Sequence, residues 1–138
     1  MNRRMHLAAA VLMLLGVLPV AAHHSFAAEF DVNKPVNMKG TVTRLDFVNP
    51  HCWVYVDVKD AAGKTVNWGF ELGAPNGLIR RGVTKNSVPI GAEVTVVGYA
   101  TKDGTPTGTA TSITLPDGRK LLTADPTASV PTPAGGKQ

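Results

Sequence analysis

The chain has 138 residues, with fourteen lysines and arginines, ten aspartates and glutamates, four histidines and one cysteine. That length supports one domain with a modest core rather than two. The net charge of +4 does not suggest nucleic acid as a partner, and a lone Cys52 excludes an intramolecular disulfide.

The N-terminus reads as a secretory signal peptide over residues 1–22. Arg3 and Arg4 form a positive n-region, Leu7 to Leu18 a short apolar h-region, and Val20-Ala21-Ala22 fits the small-x-small rule for cleavage. The h-region is too short to span a bilayer, and no later segment has the eighteen or more apolar residues of a spanning helix. The expectation is therefore a soluble, exported, periplasmic protein with no membrane span, no lipid anchor and a monomeric state. Removing residues 1–22 takes away two arginines and no acid, which leaves a net charge of about +2.

Cleavage after Ala22 makes His23 the first residue, followed by His24-Ser25-Phe26. A free α-amine and the imidazole of the same residue chelate a late first-row metal, and nitrogen ligands favour copper in the Irving–Williams order. Residues 23–35 read as an N-terminal arm, with Phe26 and Phe30 as anchors.

From Val36 the pattern becomes strand-like. Val36 to Val48, Cys52 to Lys59 and Lys64 to Leu72 are rich in β-branched and aromatic residues, and Asn-Pro and Ala-Ala-Gly mark the turns. Val66, Trp68, Phe70 and Leu72 alternate with Asn67, Gly69 and Glu71, which predicts a third strand with those four apolar residues on the core. Pro75 to Arg81 predicts a short helix, with Pro in the first turn and Gly82 where a left-handed C-terminal residue belongs. Strands resume at Glu93 to Ala100 and Thr109 to Leu115, joined through Lys102-Asp103-Gly104, before a short Lys120-to-Leu122 segment. Residues 124–138 hold too little apolar bulk to repay ordering and read as a disordered tail. Three strands, one short helix, then two strands is the order of an all-β, five-stranded Greek-key barrel of the OB type over residues 36–123. A sandwich is the other arrangement this pattern allows.

His51 lies in Asn49-Pro50-His51-Cys52-Trp53, at the entrance to the second strand. Alternation puts His51 with Trp53 and Tyr55, and Cys52 with Val54, Val56 and Val58 on the opposite face. That separates Cys52 from any metal held by His51 and makes it a small core residue. If the arm folds back, His23 supplies its amine and one imidazole nitrogen and His51 a second imidazole. Such a three-nitrogen histidine brace resembles the N-terminal copper sites of small periplasmic copper carriers and of secreted copper monooxygenases. His24 is the alternate ligand, through the amine, the intervening amide and its own ring. The bland alternatives are a flexible terminus without a role and a His51 that caps the barrel through a loop carbonyl.

A metal-free reading also stands. Trp53, Tyr55 and Trp68 offer a stacking surface of the kind OB barrels use, although the phase of Trp68 with Phe70 and Leu72 favours core packing; Glu71 with Asn67 lines a polar pocket or faces solvent, and Arg80 is a basic spot at the helix end. These residues would hold a small ligand or an envelope protein. No nucleophile elbow, phosphate loop or His-Glu-x-x-His is present, so the chain reads as a binding module before an enzyme, with a small copper oxidase as the outlying possibility.

The segments HHSFAAEFD, KGTVTRLDFVNPHCWVYVDVKD, NWGFELGAPNGLIRRG and GAEVTVVGYATKDG together resemble an uncharacterised family of small exported proteobacterial proteins, a domain of unknown function. The resemblance runs from His23 to about Leu122. Its distinctive parts are His-His-Ser-Phe at His23 to Phe26 and Asn-Pro-His-x-Trp at Asn49 to Trp53. It implies secretion and a single β domain, and attaches no activity.

Overall fold

The computed structural model describes residues 26–124. The expected signal peptide, the pair His23-His24 and the tail beyond Ala124 lie outside the described residues. Eight elements follow in order: α1 (Phe26–Glu29), β1 (Phe30–Asp46), β2 (Trp53–Lys59), β3 (Thr65–Glu71), α2 (Pro75–Arg80), β4 (Glu93–Thr101), β5 (Thr107–Thr114) and β6 (Lys120–Leu122). The chain is mostly β.

The first strand begins at Phe30, six residues before the Val36 expected from the sequence. Asn33 and Pro35 hide it, because Pro35 cannot donate to a ladder. The register between β1 and β4 shifts between Phe30 and Pro35, and that irregularity absorbs the proline. The remaining boundaries fall within about two residues of the pattern, and the Lys120-to-Leu122 segment is a sixth strand paired with β5.

The pairings run β1–β2, β2–β3 and β1–β4 antiparallel, then β4–β5 antiparallel and β3–β5 parallel. Five strands therefore join in a closed cycle, and each has a neighbour on both sides. Closure requires strong bending. β1 serves β4 with its first half and β2 with its second, and it passes between the two at Gly40, where an added Cβ would sit 2.3 Å from the Asp57 carbonyl oxygen. Gly98 likewise stands beside a register shift in β4 and has no room for a side chain.

The interior collects the inward residues of every strand, among them Val42, Val54, Val56, Phe70, Val96 and Ile113, all essentially inaccessible to solvent. Leu78 carries α2 into the same core. Cys52 is fully buried there, as alternation predicts. The third strand departs from expectation at one end: Phe70 and Leu72 are buried, whereas Val66 and Trp68 are only partly covered. They line an open groove of about 440 Å³ with Met38 and Val58, at the end of the sheet where the β2–β3 hairpin turns. Trp68 stacks on Phe70 with ring centroids 5.7 Å apart and is core on one face only.

Candidate functional site

The backbone that presents His51 is fixed from both sides. The Cys52 N–H donates to the Gly73 carbonyl at 3.2 Å, and the Leu72 N–H donates to the Cys52 carbonyl at 2.8 Å, so the β2–β3 ladder continues past the end of either strand. Gly73 in turn donates to the Thr123 carbonyl at 2.7 Å, and the buried Thr123 hydroxyl donates to Ala110 at 2.8 Å. With Cys52 turned into the core, His51 must turn outward. Its thiol neighbour is chemically quiet, since burial pushes the Cys52 pKa up against a weaker opposing hydrogen bond from the Val48 backbone.

On the outer face, His51 Nδ1 meets the Glu71 Oε1 carboxylate oxygen. The two side chains are 30% and 15% exposed, so this pair is more sheltered than an ordinary surface contact. Register explains the meeting: Trp53 is the ladder partner of Glu71, and His51 lies two residues before Trp53 on the same face. A carboxylate on Nδ1 holds the proton there and directs Nε2 as the electron-pair donor. This carboxylate–histidine arrangement is the usual support of a metal-binding imidazole.

Beside the pair lie Trp53 and Tyr55, stacked at 6.5 Å between centroids with planes 25° apart. Tyr55 faces Gly69 across the ladder, and both rings lie over that glycine. The Arg44 guanidinium sits 3.8 Å above the Tyr55 ring and also reaches Asp46 at 3.3 Å. A cation over a tyrosine face is electrostatically attracted by the ring quadrupole.

The structure thus brings together His51, Glu71, Trp53 and Tyr55. It leaves Arg80 apart, exposed in the last turn of α2, and supplies Arg44 as the cation in its place. Asn67 does not share a pocket with Glu71: its amide donates to Thr43 at 3.0 Å and to Asp57 at 2.8 Å, in a second polar cluster on the far side of Tyr55. The residues missed were Arg44 and Gly69. Their signal is the register, since both are ladder partners of Tyr55.

His23 and His24 fall outside the described residues, and among those described no group of three or more His, Cys, Asp or Glu side chains converges. His51 and Glu71 are a pair. The described chain nevertheless starts close by in the sequence: Phe26 packs edge-on against Tyr99 at 5.6 Å and against Phe30 at 5.4 Å. The Lys102 N–H donates to the Glu29 carbonyl at 3.0 Å, and its ammonium donates to Ala27 O.

The family of unknown function DUF6152 matches residues 11–111. The chain belongs to that family. His23, His24, His51, Glu71 and both stacked rings lie within the matched span. No curated protein and no solved structure matches the chain. Membership in the family assigns no chemistry.

Proposed function

We propose that the protein is an exported, single-domain module that binds a transition metal, copper first, and handles or delivers it rather than turning over a substrate. In this reading a signal peptide ends at Ala22 and the remainder folds as a five-stranded Greek-key barrel of the OB type, which the closed cycle of pairings supports. The metal is taken by the His23 amine and imidazole together with His51, and His24 is the alternate ligand. The observation that carries the proposal is the Glu71 carboxylate on His51 Nδ1. That contact orients the ring and turns Nε2 outward as the electron-pair donor.

The test is a Cu(II) titration of protein whose mass shows His23 at its terminus. One equivalent should bind, more weakly as pH falls, because protons compete for nitrogens with ordinary pKa values of about 6.5 for imidazole and about 7.7–8.0 for the amine. His51→Ala should lower affinity by about 10- to 100-fold or more and change the electron paramagnetic resonance spectrum. Unchanged affinity and spectrum in that variant would end the proposal.

The stacked Trp53–Tyr55 pair favours a second reading, a metal-free module that holds a small ligand or an envelope protein on the outer face of β2 and β3, the face OB barrels use. In that case Trp53→Ala abolishes binding of the partner and copper plays no part.

A further inference from the structure

We infer that the first half of β3, with the open groove beside it, is a docking site for an extended acidic segment of a partner protein, which joins the sheet as one more strand and places an apolar side chain in the groove. The site stands apart from the metal reading. It lies at the hairpin end of β2 and β3, and roughly 20 Å of extended strand separates it from His51.

β3 meets β5 only from Gly69 to Glu71, so among the described residues positions 65–68 pair with β2 alone. Backbone direction settles what is left over. The Gly69 N–H turns away from β2 and donates to the Pro106 carbonyl at 3.0 Å, and the β2–β3 register runs without a shift. Alternation therefore turns the N–H and C=O groups of Asn67 and Thr65 the same way, so that two donors and two acceptors line the edge. An extended chain matches such a row, since main-chain bonds supply the affinity and alternate side chains the choice.

The inner face beside this edge is unfinished. Val66 and Trp68 alternate with the edge residues, are only partly covered, and with Met38 and Val58 wall the groove of about 440 Å³. A strand added beyond β3 points every second side chain to that same face, which brings one large apolar group to the groove. Charge selects the partner. Lys39 and Lys59 stand in the groove wall and Lys64 in the hairpin turn, whereas the Asp60 carboxylate of that wall is committed to its own turn, accepting from the Ala62 and Lys64 amides at 2.9 Å each. Lys39 reaches Glu93 at 2.7 Å, but both are exposed and such a pair contributes little. Lysines beside an open edge deter a second copy, which brings the same cations, and attract an acidic chain.

The probe is the peptide acetyl-DTEFTVE-amide, titrated into isotope-labelled protein and followed by nuclear magnetic resonance. Saturation should slow hydrogen exchange at the backbone amides of Thr65 and Asn67 and shift the Trp68 indole signal. The same peptide N-methylated along its bonding edge should not bind. Thr65→Pro removes an outward N–H that β2 does not use, and should abolish binding while melting within a few degrees of the parent. Lys59→Glu with Lys64→Glu, two surface changes that leave the fold alone, should weaken the acidic peptide by about tenfold or more and favour its lysine counterpart, acetyl-KTKFTVK-amide. Absence of binding at millimolar acidic peptide overturns the inference, and so does equal binding of the N-methylated peptide or indifference to the charge reversal. Dodecanoate that shifts Trp68 where the peptide does not makes the groove a lipid site instead. Protection of Thr65 and Asn67 that grows with protein concentration, without peptide, makes the edge a contact between copies and replaces the acidic partner.

Discussion

The two faces of β2 obey different rules. Inward, from Cys52 through Val54 and Val56 to Val58, the strand carries small apolar groups that are almost wholly sealed, and their chemistry is interchangeable so long as volume is kept. Outward, from His51 through Trp53 and Tyr55 to Asp57, each side chain has a specific partner: Glu71, the neighbouring ring, Arg44 and Asn67 in turn. One backbone thus separates what holds the fold from what the fold displays. Substitutions on the two sides should fail in different ways.

The largest effect belongs to the inner side. Phe70 is fully buried opposite Val54, and Phe70→Ala should cost about 3–5 kcal/mol, measured by chemical denaturation. Since small domains total roughly 5–15 kcal/mol, such a variant sits near the edge of folding. Trp68→Ala, which removes a ring covered on one face, should fall in the ordinary range of about 0.5–3 kcal/mol. Equal losses at Phe70 and Trp68 would break the distinction.

An intermediate effect, seen in function and not in melting, is expected at Glu71→Gln. It keeps the side-chain shape and removes the charge that orients His51, so copper affinity should drop about 10- to 100-fold while the melting temperature stays within a few degrees. A variant that instead unfolds would place Glu71 among the structural residues. Cys52 should resist a thiol reagent at pH 8 until the protein is unfolded, because burial disfavours its thiolate; rapid labelling of the native state would contradict the sealed inner face.

The smallest effect lies away from β2. Hydrogen bonds from the Thr105 backbone and from the hydroxyls of Thr105 and Thr101 hold the exposed Asp103 carboxyl below the usual carboxylate range. A depressed folded-state pKa gives stability that is present above the ordinary carboxylate value of about 3.9 and lost as pH falls through the folded-state value. Asp103→Asn should lower stability slightly at neutral pH, leave it unchanged well below the carboxylate range, and so flatten the dependence on pH in the window below about pH 4.

The contrast between faces was readable in the sequence, because alternation alone puts His51, Trp53 and Tyr55 opposite Cys52 and the valines. The partners were not. Each outward contact joins residues distant in the chain, and finding them requires the register, which linear alternation leaves unstated. The β2–β3 hairpin is the tractable case: folding it about the Asp60–Lys64 turn sets Trp53 against Glu71 and so brings Glu71 to His51. Arg44 was beyond that reasoning, since an irregularity between Val42 and Arg44 displaces the pairing of β1 with β2. Trp68 was assigned to the core because alternation tells the face and says nothing about depth. Near the open groove, the inward direction no longer means burial.

The cycle of pairings described above has a bearing on how this chain behaves among its copies. An unpaired strand side is a template on which a second molecule can grow a sheet. In this fold five strands each have two neighbours, and the outermost position is left to β6, three residues long and followed at once by Thr123, whose backbone is already committed to Gly73 and Thr111. Among the described residues, recruitment of a further strand is therefore confined to short stretches: β6 itself, the half of β3 over residues 65–68, whose pairing with β5 covers only residues 69–71, and the part of β1 before Gly40, which pairs with β4 alone.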